Sequence, residues 1–227
     1  MNYNIDITFD LETVATTANA AVMQVAAVVW DRDAASNPFL LYDSFVFNEH
    51  VDLRSCVVDG FDFDQQTVQW WSQRSDAAKH AVTKGQAYHV KDVFTSFINW
   101  IDGVVRKTEA SGTRLWCQGM DFDTAILKNI CRKYGLQLPV KYQQFRDCRT
   151  VILEAALIEA GRRAKDGIQL QSAILAEPSE AYQLYDQLPK EYAFGSEAHD
   201  ALYDAMRSAW NTWQALKWLK GDNEDRA

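Results

Sequence analysis

Two carboxylates end the first apolar segment of the chain. In the stretch ITFDLET, Asp10 and Glu12 alternate with Ile7, Phe9 and Leu11, a period of two that is typical of a β-strand. Both carboxylates therefore share a face, with Cα atoms about 6.6 Å apart at a rise of about 3.3 Å per residue. They can converge on one cation and would repel each other without it. The stretch alone leaves a solvated strand end as the alternative.

Two later segments carry residues that could complete such a site. In GMDFDTAIL, Asp121 and Asp123 stand where a short strand meets a helix, and capping of that helix is the alternative role. In HDALYDA, Asp204 lies five positions after His199. Five helical residues turn through about 500°, so the two cannot share a face of one regular helix. If His199 precedes the helix, its ring can turn toward Asp204; a surface or capping histidine is the alternative.

The order and spacing of these three segments resemble the DEDD superfamily of 3′-to-5′ exonucleases, in its histidine-containing branch, DEDDh. The four carboxylates of that pattern are matched by Asp10, Glu12, Asp123 and Asp204, and its histidine by His199. The segments TVQWWSQRSDAA, WCQGMDFDTAIL and FRDCRT are most similar to a phage and prophage group of exonuclease A-like proteins.

The resemblance extends over residues 6–213 and implies a metal-dependent nuclease. Asp10 would bridge two divalent ions, Mg²⁺ or Mn²⁺, with the other three carboxylates completing the ligands. His199 would accept the proton of the attacking water. The expected reaction releases nucleoside 5′-monophosphates from the 3′ end of single-stranded nucleic acid, with DNA favoured over RNA. The alternatives are an exoribonuclease or short-oligonucleotide hydrolase and, from another class, a nucleic-acid-binding accessory of a polymerase.

The resemblance also offers substrate contacts, namely Thr13, Met120 and Phe122. More distant relatives often have Asn where this chain has Gly119, so any contact made by that side chain is missing here. The pair Trp70 and Trp71 is most simply core, although one of them could face the nucleotide.

The charge balance restricts how a polyanion can be held. The chain has 23 Lys and Arg against 31 Asp and Glu, a net charge of −8, which argues against coating of duplex DNA. Residues 128–165 instead contain nine basic and three acidic residues. We expect Arg162, Arg163 and Lys165 to guide a single strand; the alternative is a set of solvated helix ends, where cations are favoured in any case.

Length and patterning predict the fold. The 227 residues fit one domain, which we place at 1–220, followed by an acidic tail at 221–227. Strand patterns come first and then alternate with helix patterns, which predicts an α/β fold with helices on both faces of a mixed sheet. The resemblance implies a ribonuclease H-like fold with five strands. Residues 166–198 are expected to be irregular, with a mobile segment.

The cysteines and the apolar runs bear on the cellular compartment of the protein. The four cysteines form no C-x-x-C motif, and no apolar run approaches the ~20 residues that a membrane span needs. We therefore expect a soluble protein with no membrane partner in a reducing cytoplasm, which is the host cytoplasm if a phage encodes it. The sequence indicates no particular protein partner.

Overall fold

A six-stranded mixed sheet forms the centre of the protein. The computed structural model describes residues 4–39, 45–108, 112–163, 167–185, 187–192 and 199–221. The strands are β1 (Ile5–Thr13), β2 (Val22–Asp31), β3 (Val46–Val51), β4 (Ala87–Tyr88), β5 (Arg114–Cys117) and β6 (Phe145–Asp147). Their order across the sheet is β4-β3-β2-β1-β5-β6. β1 is central, pairing antiparallel with β2 and parallel with β5. The mixed sheet is confirmed, with six strands rather than five because the two-residue β4 is too short to show a pattern.

Helices cover both faces of this sheet, as predicted. They are α1 (Leu53–Val58), α2 (Gln65–Ser72), α3 (Asp76–Thr83), α4 (Val90–Thr108), α5 (Asp123–Tyr134), α6 (Cys148–Arg162), α7 (Gly167–Ala176) and α8 (Ala201–Lys220). One buried core joins Phe9 of β1 to Phe97 of α4 and Ile126 of α5. A second core joins Trp116 of β5 to α6 and α8 on the other face. Burial on both faces explains why β2 reads as a nearly continuous apolar run.

Some predicted elements differ from the observed ones. The irregular segment expected at 166–198 contains the helix α7 and a 3₁₀ helix at Pro178–Leu184, so that expectation is wrong over these residues. Residues 193–198 lie outside the described part of the chain, as do 222–227 of the acidic tail.

Two further observations concern the chemical setting. All four cysteines are buried free thiols. Within the described ranges, no helix has the length and apolar character that crossing a membrane would require.

Candidate active site

The site begins where β1 leaves its regular pairing. Glu12 pairs with Gln24 and Thr13 pairs with Val22, so Met23 is an extra residue on β2 at this point. Such a bulge bends and twists the strand, and bulges are frequent beside active sites. β5 ends at Cys117, and its last residue paired with β1 is Trp116, opposite Thr8. The carboxylates of Asp10 and Glu12 therefore lie beyond the paired part of β5.

Asp123 is brought to this strand end by the start of α5. Its side chain is buried, and the backbone N–H groups of Leu11 and of Asp123 itself oppose part of the rise that burial causes in the pKa of its carboxyl. The residue in the N-cap position is Phe122, which makes no side-chain capping bond. Asp123 is thus the first residue of α5 and not its N-cap, and the Leu11 N–H of β1 acts on its carboxyl.

α8 supplies the remaining predicted residues. Its N-cap is Asp200, whose carboxylate accepts a hydrogen bond from the Leu202 N–H, and His199 therefore precedes the helix. The backbone N–H of His199 donates to Asp204 Oδ2 at 2.9 Å. One ligand atom each from Glu12, His199 and Asp204 lies within 4.8 Å of the others. The structure thus brings the histidine and a carboxylate of α8 to the end of β1.

Burial and mutual repulsion make this cluster electrostatically unfavourable when fully charged. Burial, followed by the charges of Asp123, Glu12 and Asp204, raises the pKa of Asp10 well above its ordinary value. Burial and the charge of Asp204 raise the pKa of Glu12 to about 8, and burial raises the pKa of Asp123 to about 7. The Arg207 guanidinium opposes part of the effect on Asp10. A cation at the site would remove most of the repulsion.

The residues fit a divalent metal site. Asp204 Oδ1 is buried and makes no hydrogen bond, although Arg207 Nη2 lies 3.0 Å away as an ion-pair partner. An acceptor atom left in this state is available to a cation. Four carboxylates provide the oxygen ligands that Mg²⁺ and Mn²⁺ prefer.

A cavity of about 440 Å³ opens beside Glu12, and we call it the tryptophan cavity. Its lining residues are Leu11, Glu12, Thr13, Thr16, Asp64, Gln66, Thr67, Trp70, Trp71 and Phe122. Trp71 is largely buried, and its indole N–H donates to the carbonyl of Thr13 at 2.8 Å. Trp70 is 38% exposed, and its ring centroid lies 4.8 Å from that of His199 in an edge-on arrangement. One tryptophan therefore fits each of the two alternatives: Trp71 packs in the core, and Trp70 faces the site.

The predicted substrate contacts fall into two groups. Thr13 and Phe122 line the tryptophan cavity. Met120 is not among its described lining residues; its backbone N–H donates to Asp147 at 3.3 Å and its side chain packs against the core.

The structure does not bring Arg162 and Arg163 to the carboxylates. α6 begins beside the site, and Arg162 ends it 14 residues later, about 21 Å along the helix axis at about 1.5 Å per residue. Both arginines are ion-paired with Glu159, and Arg162 also donates to the carbonyl of Trp218 near the end of α8. The positions of Arg162 and Arg163 agree with solvated cations at a helix end, the alternative to a surface that guides a single strand. Lys165 lies outside the described residues.

Two arginines near the carboxylates were not singled out from the sequence. Arg207 follows Asp204 by three residues on α8, a spacing that places both on one helix face and could have identified it. Arg149 of α6 lowers the pKa of Asp123. Its guanidinium lies 3.6 Å from the point where a Cβ on Gly119 would be, and Gly119 has a φ of +112° that favours glycine. At the position where relatives carry Asn, this chain has an arginine nearby.

Comparisons with known proteins agree with this geometry. The model of the family described as 3′-5′ exoribonuclease Rv2179c-like domain matches residues 5–216. An exodeoxyribonuclease of Enterobacteria phage T4 is 25% identical over 236 residues, which cover 95% of this chain and 91% of the phage protein. The nuclease domain of 3′hExo, a DEDDh family member solved with bound rAMP, superposes with a TM-score of 0.50 and 14% identity, covering 97% of this chain and 94% of that one. The structural likeness confirms the ribonuclease H-like fold.

Proposed function

Because the chain belongs to the family of the 3′-5′ exoribonuclease Rv2179c-like domain and is a 3′-to-5′ exonuclease of the DEDDh type, we propose that it removes nucleoside 5′-monophosphates from the 3′ ends of single-stranded DNA. One observation carries the proposal. Glu12, His199 and Asp204 present ligand atoms within 4.8 Å of one another, the charges of Glu12, Asp123 and Asp204 act on the buried Asp10, and a cavity large enough for a nucleoside lies beside them.

The carboxylates would hold two divalent cations, which supply charge stabilisation for the attacking and leaving oxygens of an in-line displacement at phosphorus. By the resemblance, Asp10 would contribute to both cations; burial and then the charges of the other three carboxylates raise its pKa. Asp123 and Glu12 approach from α5 and β1, and Asp204 from α8. These metal-ligand roles are carried over from the DEDDh family to the matching residues of this chain.

His199 is the proposed general base. The imidazole lies beside Glu12 and Asp204, where it can accept the proton of the attacking water. The 3′ oxygen of the preceding nucleotide leaves, and the released product keeps the phosphate on its 5′ oxygen. Trp70 and Phe122 border the cavity beside the histidine and offer aromatic surfaces for the terminal base.

DNA is the preferred substrate in this proposal, supported by the likeness to the phage exodeoxyribonuclease over 95% of the chain. RNA is the second candidate, because the matching family is described as exoribonuclease.

The test uses 5′-labelled single strands of DNA and RNA with the same sequence, at several lengths from two nucleotides upward, with Mg²⁺ or Mn²⁺. We expect ladders that shorten from the 3′ end, nucleoside 5′-monophosphates as products, and faster loss of DNA than of RNA. Faster loss of RNA would contradict the DNA preference, and activity on the shortest strands alone would identify a short-oligonucleotide hydrolase.

Asp10→Asn is the matching variant, since it removes one metal ligand and one buried charge while keeping the shape of the side chain. It should lose all detectable turnover and remain folded. Asp102→Asn on α4, which removes the charge paired with Arg106, is the control and should keep wild-type activity. Near wild-type turnover by Asp10→Asn at saturating Mn²⁺ would overturn the assignment of the site.

A further inference from the structure

Gln24 of β2 carries a buried amide that hydrogen-bonds to β3 and to the start of α8. The residue is 1% exposed. Its Nε2 group donates to Asn48 Oδ1 of β3 at 2.9 Å and to Asp200 Oδ1 at 3.2 Å. Its Oε1 atom accepts a hydrogen bond from the Ala201 backbone N–H at 3.1 Å. Because both amide hydrogens and the oxygen are in use, the side chain is held in one orientation.

Gln24 also lies beside a carboxylate of the site. It is paired with Glu12 across β1 and β2, so the two side chains project from the same face of the sheet. The Cβ atoms of such a pair are about 4.5–5.5 Å apart. Met23, the extra residue of the bulge, directly precedes Gln24. Gln24 is thus adjacent both to Glu12 and to the start of α8.

The two residues that Gln24 binds at α8 directly follow His199. Asp200 is the N-cap and Ala201 is the first helical residue, whose N–H has no partner within its own helix. Gln24 supplies the acceptor for this N–H from β2, while the Asp200 carboxylate accepts the Leu202 N–H. The backbone that follows His199 is therefore fixed to the central sheet as well as to α8.

The place of the imidazole depends on this backbone. His199 has a φ of +71°, and its N–H donates to Asp204 Oδ2 at 2.9 Å. A ring nitrogen of His199 lies within 4.8 Å of carboxylate oxygens of Glu12 and Asp204. A movement of the segment after His199 would shift the ring relative to these carboxylates. A misplacement of about 1 Å can cost about 10²-fold in rate.

Resting on the proposed exonuclease function, we propose that Gln24 is a positioning residue for the general base. Its amide fixes the start of α8 against β2 and so sets the place of the His199 imidazole relative to Glu12. Gln24 is not among the described residues that line the tryptophan cavity, so its loss should leave KM near the wild-type value. Its contribution to the reaction is made through His199 and is seen in kcat.

The test is a double-mutant cycle in kcat on single-stranded DNA at saturating Mn²⁺. Gln24→Met keeps the length of the side chain and removes its hydrogen bonds, and it is measured alone and together with His199→Asn. Gln144→Met is the matched control. Gln144 accepts the Lys141 N–H at 2.7 Å and donates to the Thr113 carbonyl at 2.6 Å, so this variant loses a similar pair of bonds. Thr113 precedes β5, at the opposite end of that strand from the carboxylates.

We expect Gln24→Met to lower kcat about 10–100-fold, the usual loss for a residue that orients a functional side chain, with KM near the wild-type value. In the His199→Asn background the same change should cost less than about 3-fold, because the group that Gln24 positions is gone. Hydrogen exchange of the Ala201 amide should be faster in Gln24→Met, since its acceptor is missing. Gln144→Met should keep the wild-type kcat and the wild-type exchange at Ala201.

A folded Gln24→Met enzyme with wild-type kcat would overturn the inference, and so would an equal loss in both backgrounds or a loss confined to KM. If Gln24→Met does not fold, Asp200→Ser decides the matter. Serine keeps an N-cap on α8 but is one bond too short to reach Gln24, so its cycle with His199→Asn should show the same pattern at about 10-fold. Failure of the proposed function has a different signature: a wild type that releases no nucleotide would overturn the exonuclease proposal and this inference together, even where exchange at Ala201 responds to Gln24→Met.

Discussion

At the scale of single residues, His199 has a backbone conformation that few side chains adopt. Its φ of +71° lies in the left-handed region, where residues other than glycine are uncommon but histidine is enriched. Such a conformation costs on the order of 1–3 kcal/mol and persists when its surroundings determine it. Here the bond from its N–H to Asp204 and the edge-on contact of its ring with Trp70 hold it. The backbone of His199 therefore adopts this strained conformation where its imidazole lies beside Glu12 and Asp204.

Replacing His199 tests its role as a base. His199→Ala should lower kcat by about 10²–10⁴-fold, the usual contribution of a general base. His199→Asn should lower it equally, and because Asn tolerates positive φ, this variant separates loss of the base from backbone strain. The affinity for Mn²⁺ should stay near that of the wild type, since we assign no metal ligand to the imidazole.

Measurements of kcat at saturating Mn²⁺ and of Mn²⁺ affinity check both points. His80→Ala, which replaces an exposed histidine of α3, is the control and should keep the wild-type kcat. A His199→Asn enzyme with near wild-type kcat would refute the base, and a large loss of Mn²⁺ affinity would identify a ligand instead.

At the scale of elements, β1 uses its two faces for different tasks. Its odd residues, such as Ile7 and Phe9, are buried in the core under α4 and α5. Its even residues begin with Asp6, which is fully buried and accepts hydrogen bonds from the Arg32 side chain, the Arg114 N–H and the Trp116 indole. Asp6 therefore anchors β1 to β2 and β5, while Asp10, farther along the same face, is left for the site.

Asp6→Ala should destabilise the protein by about 3–5 kcal/mol, the loss typical of breaking a buried ion pair, because Arg32 and two N–H donors lose their acceptor. Unfolding in urea measures the change. The control is Asp102→Ala, which removes a more exposed ion pair on α4 and should have a much smaller effect. A loss of under about 1 kcal/mol for Asp6→Ala would contradict the anchoring role.

At the scale of the whole molecule, folding assembles a repulsive charge cluster from β1, α5 and α8. The pKa of Glu12 rises to about 8 and that of Asp123 to about 7, while that of Asp10 rises well above its ordinary value. A group whose pKa is higher in the folded state stabilises that state at low pH, below its unfolded pKa. This contribution is lost as pH rises through the folded pKa. In a chelator, the contribution of these groups to the free energy of unfolding should therefore fall from about pH 4 to about pH 8.

Divalent metal should reverse this trend, because it binds the deprotonated carboxylates. At 100 times its Kd a cation adds roughly 2.7 kcal/mol, or roughly 5–10 °C in Tm for a chain of this size. We expect the gain in Tm from Mn²⁺ to be near zero at pH 5 and largest near pH 8. Thermal unfolding with chelator or Mn²⁺ across pH measures it.

Asp10→Asn should show an equal or higher Tm than the wild type in chelator at pH 8 and a smaller gain from Mn²⁺. Asp102→Asn should follow the wild type. A wild-type gain from Mn²⁺ that does not depend on pH would show that these carboxylates do not hold the cation.

The sequence by itself determined most of the local elements, because these depend on short-range periodicity, and its resemblance to the DEDDh exonucleases supplied the candidate site residues. The alternation in ITFDLET places Asp10 and Glu12 on one face, and the helical phase shows that His199 and Asp204 cannot share a face of one regular helix. Only the tertiary structure decided what the residues contact across the fold. It brought Trp70 to the site while burying Trp71, and it placed Arg162 about 21 Å along α6 from the start of that helix. These outcomes follow from how helices pack on the sheet, which the pattern within any one segment does not specify.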